Sequence, residues 1–198
     1  MGHRDTKQQK SEIRAQLKQI RTAIPAGTRQ VHTKNITSRL LSLDELTAAQ
    51  TIFIYISYAS EVGTHNLIKH FLGQGKTLAV PKIIDSDHMI AVAFTRWGDL
   101  ELGKLGILTP PDTEPFPANF DVAISPGLGF TSAGHRMGFG RGYYDKWFAN
   151  NKVGMKLALA FEAQLLDDLP IDETDVPMDI IVTEQRVIRS HSGNNSCC

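Results

Sequence analysis

The sequence predicts an α/β fold, a three-layer α/β/α sandwich around a largely parallel or mixed sheet, and three observations carry that prediction. Short apolar runs alternate with stretches of helical periodicity along most of the chain. Several of those runs are apolar throughout rather than at every second position, the pattern of strands covered on both faces. At 198 residues, 41% hydrophobic and 21% charged, the chain has the size and composition of one domain with a substantial core. Residues 1–189 are expected to form that single domain, with a disordered tail at 190–198.

The elements follow in order. Thr6-Lys-Gln-Gln9 has the spacing of a capping box and Pro25-Ala-Gly27 is a stop signal, which predicts a helix over 7–23. At about 100° per residue, Ile13, Leu17, Ile20 and Ile24 form an apolar stripe, and Lys7, Lys10, Arg14, Lys18 and Arg21 form a basic stripe beside it. Lys7 and Lys18 read as solvated. Lys10 and Arg14, one turn apart at the apolar border, can curl over the core edge into a cleft. A second helix is predicted over 28–43, capped by Thr28, with Val31, Ile36 and Leu40 inward. Strands are predicted over 52–57, 77–82, 89–95, 121–125, 156–161 and 180–183, and helices over 64–72, 143–151 and 162–167. Residues 98–119, rich in Gly and Pro, read as a long loop packed near the site. Gly73-Gln-Gly-Lys-Thr77 looks like the end of a P-loop, but it joins a helix to a strand and has His70 where the first glycine belongs. Gly73 and Gly75 therefore read as a helix end and a turn, and Lys76 has no claim to a nucleotide.

The chemistry concentrates in 126–147, where the run 121–125 feeds a glycine-rich stretch that leads into the helix beginning at Tyr143. Gly138, Gly140 and Gly142 remove side chains at alternate positions, which lets backbone N–H groups approach an anion closely. The following helix adds its free N–H groups and the positive end of its dipole. Arg136 and Arg141 supply forked donors suited to phosphate oxygens, and Asp145 in the first helical turn could hold a divalent cation against them or serve as a helix cap. A surface turn with solvated arginines is the alternative. Six glycines and two arginines between strand and helix, with an acid in the first helical turn, argue against it, so this stretch reads as a phosphate site, of the nucleotide kind.

The same stretch resembles the 5-formyltetrahydrofolate cyclo-ligase family, also called methenyltetrahydrofolate synthetases. That family's signature runs Pro-Gly-x-x-Phe-Asp, then Gly-x-Arg-Leu-Gly-x-Gly-x-Gly-Tyr-Tyr-Asp. Pro126, Gly127, Phe130, Gly134, Arg136, Gly138, Gly140, Gly142, Tyr143, Tyr144 and Asp145 stand at the matching positions, with Met137 for the leucine and Thr131 for the first aspartate. The resemblance continues through Lys10-x-x-x-Arg14, Phe53-Ile-Tyr-Ile-Ser57 followed by Glu61, Phe161-Glu-Ala-Gln164, Leu169-Pro170 and 175–184, and so covers nearly the whole chain. It implies a sheet of the NagB/RpiA/CoA-transferase-like type. It also implies an ATP-dependent ligase that closes 5-formyltetrahydrofolate to 5,10-methenyltetrahydrofolate with release of ADP and phosphate. Lys10, Arg14, Arg136, Gly138, Phe139, Gly140, Arg141, Gly142, Tyr143 and Tyr144 would hold ATP, with Lys10, Arg14 and Arg136 carrying catalysis. Ile56 and Glu61, with residues 139–143 (Phe139, Gly140, Arg141, Gly142 and Tyr143), would hold the folate, and Asp145 and Asp179 a Mg2+ ion. Phe139, Tyr143 and Tyr144 could sandwich the pterin or the adenine, with core packing the alternative for Tyr144. Asp179 can also be a simple residue at the start of its strand. The two aspartates meet only if strand 180–183 runs antiparallel to 121–125 or the chain curls back before it.

Composition narrows the remaining classes. Net charge is zero, yet residues 1–39 carry nine Lys/Arg against two acids and the rest twelve against nineteen. Five cations on one helix without interleaved aromatics are too sparse for nucleic-acid recognition. No apolar run approaches the ~20 residues of a membrane span, and no signal peptide opens the chain. Cys197 and Cys198 are the only cysteines and cannot staple a fold, so a cytoplasmic, monomeric enzyme acting on small molecules is expected. Two other readings stay open at this point: a paralogue using the same ATP activation on another substrate, and a non-catalytic phosphate-sensing module.

Overall fold

The computed structural model describes residues 2–190 apart from 104, 105, 107, 112, 113, 117 and 118, with side chains from residue 8 onward. The side chain of Lys7 and the tail at 191–198, Cys197 and Cys198 included, lie outside the described residues. Helix α1 spans Gly2–Ala23, so Thr6 lies inside it and does not cap it. Helix α2 spans Ala26–Leu41 and begins two residues before Thr28, with Pro25 at the cap position, where its fixed φ suits the turn into a helix. A short α3 at Asp44–Ala48 precedes strand β1 at Thr51–Ile54. There follow α4 (His65–Gly73), β2 (Thr77–Ile83) and β3 (Met89–Phe94). The predicted loop over 98–119 contains a two-stranded ribbon, β4 (Glu101–Leu102) against β5 (Leu108–Thr109). Then come β6 (Phe120–Ser125), β7 (Gly129–Thr131), β8 (Arg136–Met137) and α5 (Tyr143–Asn150). The chain finishes with β9 (Val153–Leu159), β10 (Leu165–Leu166), β11 (Ile180–Val182) and β12 (Val187–Arg189).

Seven strands form the main sheet in the order β12-β11-β9-β6-β1-β2-β3. The five inner strands are parallel, and β3 and β12 are added antiparallel at the two edges, so the sheet is largely parallel and mixed at its margins. Alternate side chains divide between two cores, as strand geometry requires. Ile52 and Ile54 face the layer of α2, α3 and α4, where Ile36, Leu40, Leu46, Leu67, Ile68 and Phe71 are buried. Phe53 faces the other way, stacked on Trp147 of α5 with ring centres 4.1 Å apart, beside Phe120 and Phe148. Helices on both faces explain why the strands read as apolar throughout.

Three expectations are corrected. Residues 162–167 are not a helix: Glu162–Gln164 makes one 3-10 turn and β10 then pairs with β7. Val31 and Ile20 are exposed, whereas Leu17, Ile36 and Leu40 are buried. The glycine-rich stretch is not one continuous loop, because β7 and β8 form an antiparallel hairpin inside it. Lys76 behaves as expected, donating to the carbonyls of Leu46, Thr47 and Ala49 at the end of α3. Among the described residues no helix is long and apolar enough to cross a membrane.

Candidate active site

The strand order places a topological switch between β1 and β6. From β1 the chain moves outward through α4 to β2 and β3, then returns to lay β6 on β1's other side. Loops leaving the C-terminal ends of two such strands diverge and leave a crevice, the usual ligand position in an open α/β sheet. One wall is the loop after β1, which carries Glu61. The other is the turn Pro126–Leu128 after β6. Gln164, almost fully buried, pins that turn: its amide donates to the carbonyls of Gly127 (2.9 Å) and Leu128 (3.0 Å), and its oxygen accepts the Phe161 N–H (2.9 Å).

Beyond the hairpin, residues 138–142 pass over α1 and open onto α5. Gly140 and Gly142 have φ values of +102° and +67°, a region costly to residues with a Cβ. Gly140 also lies against the Arg14 guanidinium, which donates to the Gly138 carbonyl at 3.2 Å. Gly142 is the cap of α5, so the free N–H groups of that helix begin where the loop ends.

On this side lies a cleft of about 620 Å³, lined by Lys10, Arg14, Arg136, Gly138, Gly140, Arg141, Gly142 and Asp145 and roofed by residues 169–177. The structure thus gathers the four predicted cations, the glycine loop and one predicted metal ligand into one cavity. Lys10, Arg14 and Arg136 are engaged with protein groups. Lys10, 6% exposed, donates to Asp172 (2.6 Å) and Asp175 (2.7 Å). Burial disfavours its charged form, but the two aspartates outweigh that and raise its pKa. Arg136 is buried, donates to Asp145 Oδ1 at 2.7 Å and lies over the Tyr144 ring at 5.4 Å. Arg141 is exposed at the cleft.

The predicted metal ligands do not share partners. Asp145 accepts from Arg136 and, at 3.3 Å, from the Val176 N–H, so the chain does curl back to Asp145, but with Val176. Asp179 precedes β11, which runs parallel to β9 and through it to β6. Its carboxylate accepts the Lys156 N–H at 2.7 Å and pairs with Lys156 Nζ at 3.3 Å, and it is absent from the cleft lining. Among the described residues no three His, Cys, Asp or Glu side chains cluster as a metal cage. Asp145 fits a cation brought in with a phosphate, which needs only one or two carboxylates, because its Oδ2 carries no hydrogen bond among the described residues.

Glu61, Ile56 and Phe139 lie on the other side of the loop. Ile56 is buried in the core, and Glu61 accepts the Tyr58 N–H at 2.9 Å. Burial pushes the Glu61 carboxyl above the usual range, with the Tyr58 N–H and Arg21 acting against it. Phe139 is half exposed, with its ring over the Arg21 guanidinium at 5.4 Å. Tyr144 packs toward Phe53, whereas Tyr143 donates its hydroxyl to the Asp85 carbonyl, tying α5 to the β2–β3 turn. Thr131 Oγ1 is buried without a hydrogen-bond partner, so this threonine does not take over the polar role of an acid.

Sequence reading did not find Arg21, Gln164, Asp172 or Asp175 as parts of the site. Arg21 carried a usable signal: at ~100° per residue, Lys10, Arg14 and Arg21 fall within about 40° of one another on α1, and Lys18 is displaced from them.

The chain is thus an α/β protein in which a glycine loop, a helix N-terminus and the four predicted cations line a cleft beside a switch-point crevice. The family model for 5-formyltetrahydrofolate cyclo-ligases matches residues 6–184, and the chain belongs to that family. It is 29% identical over 189 residues to the 5-formyltetrahydrofolate cyclo-ligase of Mus musculus, covering 88% of this chain and 93% of that protein. It is 27% identical over 183 residues to that of Haemophilus influenzae, covering 88% and 98%. The solved structure of Aquifex aeolicus 5,10-methenyltetrahydrofolate synthetase superposes with a TM-score of 0.81 at 29% identity, covering 96% of each chain.

Proposed function

We propose that the chain closes 5-formyltetrahydrofolate to 5,10-methenyltetrahydrofolate, using ATP and releasing ADP and phosphate. The observation that carries this reading is the pairing of two places across one glycine loop, a cleft lined by Lys10, Arg14, Arg136 and Arg141 and a switch-point crevice with the largely buried Glu61 carboxylate, in a chain of this family. The formyl oxygen of an amide-like carbon is a poor leaving group. Transfer of the γ-phosphoryl group to it makes it a good one; N10 then attacks the carbon, loses its proton and expels phosphate as the ring closes. The nucleophilic oxygen belongs to the substrate, so the protein's task is positioning and charge neutralisation.

Each residue's part follows from its place. Arg14 and Arg136 flank the loop whose N–H groups face the phosphates, and Lys10 reaches the same cleft from one turn earlier on α1. Lys10 must exchange Asp172 and Asp175 for phosphate oxygens, so nucleotide binding displaces the 169–177 roof from it. Magnesium, arriving with ATP, would screen phosphate charge, with Asp145 as its protein ligand. Glu61 would accept from the N–H-rich edge of the pterin, Phe139 would offer a ring face and Ile56 an apolar wall. A cytoplasmic location and a monomeric state complete this reading. The test is ADP release by the purified chain with Mg-ATP. Release that depends on 5-formyltetrahydrofolate supports the proposal; release unaffected by it, or none, contradicts it.

A further inference from the structure

Among the described residues, Arg21 is the one member of the basic stripe on α1 that is buried on the crevice side, at 5% exposure. Its Nε donates to Ser60 Oγ at 3.1 Å and its Nη1 to the Gly127 carbonyl at 3.3 Å. Nη1 lies 4.0 Å from Glu61 Oε1, and the guanidinium carbon is 5.4 Å from the centre of the Phe139 ring. One side chain therefore touches the loop after β1, the turn after β6 and the glycine loop, the three segments that meet at the switch point. Burying a guanidinium is costly unless partners compensate, and burial does lower its hold on its proton.

The geometry leaves both neighbours available to a ligand. At 4.0 Å, Arg21 faces Glu61 without forking onto it, so Oε1 keeps its capacity to accept. Phe139 is 52% exposed, with the guanidinium beneath it steadying a ring that can still stack. We propose that Arg21 is a positioning residue of the folate subsite: it fixes the Glu61 acceptor and the Phe139 face in register with each other and with the Gly127 turn. This inference rests on the function proposed above and adds a residue to it. Arg21 belongs to the same helix as Lys10 and Arg14, so α1 spans both subsites, with Lys10 and Arg21 about 16 Å apart along its axis.

The groups that set the Glu61 charge are Arg21 from α1, the Tyr58 N–H, and two buried phenols, Tyr55 at the end of β1 and Tyr144 on α5. Burial pushes both phenols up, so they remain neutral, and Arg21 is the cation among these groups. Arg21 lowers the Glu61 pKa; its removal raises that pKa further, and protonation of the acceptor moves toward neutral pH.

Steady-state kinetics of the full chain test this with Arg21→Met, Arg21→Lys, Glu61→Gln and the Arg21→Met/Glu61→Gln pair. Arg21→Met is expected to raise KM for 5-formyltetrahydrofolate roughly ten-fold or more, with KM for ATP within about two-fold of wild type. The acid limb of kcat/KM for the folate should move to higher pH. Arg21→Lys keeps the charge and should return that limb toward wild type while KM for the folate stays raised. In the Glu61→Gln background the limb should be gone and Arg21→Met should add little to the folate KM. Equal rises in both KM values, an unchanged folate KM, or full additivity with Glu61→Gln would overturn the inference. If Arg21→Met does not fold, Arg21→Lys decides: a wild-type folate KM there overturns it. Wild-type protein that binds ATP yet leaves 5-formyltetrahydrofolate unchanged overturns the parent reading, and this inference with it.

Discussion

Replacing Arg136 by Ala should damage stability and nucleotide binding together. The side chain is 2% exposed and its partner Asp145 15%, joined by a 2.7 Å charge-assisted bond. Removing one member of a nearly buried ion pair costs roughly 3–5 kcal/mol, because the other charge is left behind. Asp145 keeps the Val176 N–H and some solvent, which places the cost at the low end, about 3 kcal/mol. For a chain of this size each kcal/mol lowers Tm by about 2–4 °C, so a fall of roughly 6–12 °C is expected. The lost phosphate contact should weaken ATP binding by a further ~1.5–3 kcal/mol, on the order of ten- to a hundred-fold. Thermal melts with and without ATP, and calorimetric titration with ATP at a temperature where the variant is folded, read the two effects separately. The loss of stability comes from the burial of Arg136 against Asp145, which no local sequence pattern shows. An unchanged Tm would refute the energetic role of the ion pair, and unchanged ATP affinity would refute the role of Arg136 at the phosphates.

Three more expectations follow from the same geometry. Gln164→Ala takes the Gln164 partner from the buried Phe161 N–H and the Leu128 carbonyl and leaves the Gly127 carbonyl to Arg21, and it should cost about 2–4 kcal/mol in urea unfolding, with reduced turnover because the Gly127 turn loosens. Asp145→Asn should raise the magnesium concentration for half-maximal rate, whereas Asp179→Asn, which breaks the link to Lys156, should lower stability and leave magnesium dependence unchanged; a shift with Asp179→Asn would return it to the metal site. Asp121 holds β1 to β6 by accepting from the Thr51 and Gln50 N–H groups and the Thr51 hydroxyl, bonds that depress its pKa. Its stabilisation is complete above the unfolded value near ~4 and lost as pH falls through the lower folded value, so Asp121→Asn should flatten the acid limb of the stability–pH curve.

Much of this fold is legible because local pattern and global burial agree. The strands around Phe53, Ala79, Ala123, Ala158 and Ile181 are apolar on both faces because helices cover both. What escapes is structure held by distant partners. Gly129 and Arg136 look like loop residues, yet β7 and β8 pair across Gly134, and β10 exists only because Leu165 and Leu166 find Phe130 and Thr131. Residues 162–167 have helical propensity and the Gln164 side chain caps the first turn at the Phe161 N–H, but Leu165 and Leu166 then leave that turn to pair with β7. In the candidate site, the cations Lys10, Arg14 and Arg136 and the glycine loop lie in short sequence patterns and were readable. The Lys10 contacts with Asp172 and Asp175 span 162 and 165 residues, beyond the reach of any periodicity. Arg21 is intermediate: its direction on α1 was readable, its partners Ser60 and Gly127 were not.

If this cavity transfers a phosphoryl group to the formyl oxygen of the folate, that oxygen must leave in the released phosphate. The substrate is prepared with oxygen-18 in the formyl group and turned over with Mg-ATP in ordinary water, and the released phosphate is examined by mass spectrometry. One labelled oxygen is expected in the phosphate for each methenyltetrahydrofolate formed. Unlabelled phosphate accompanying the same product would mean that water, not the formyl oxygen, receives the phosphoryl group, and would contradict it.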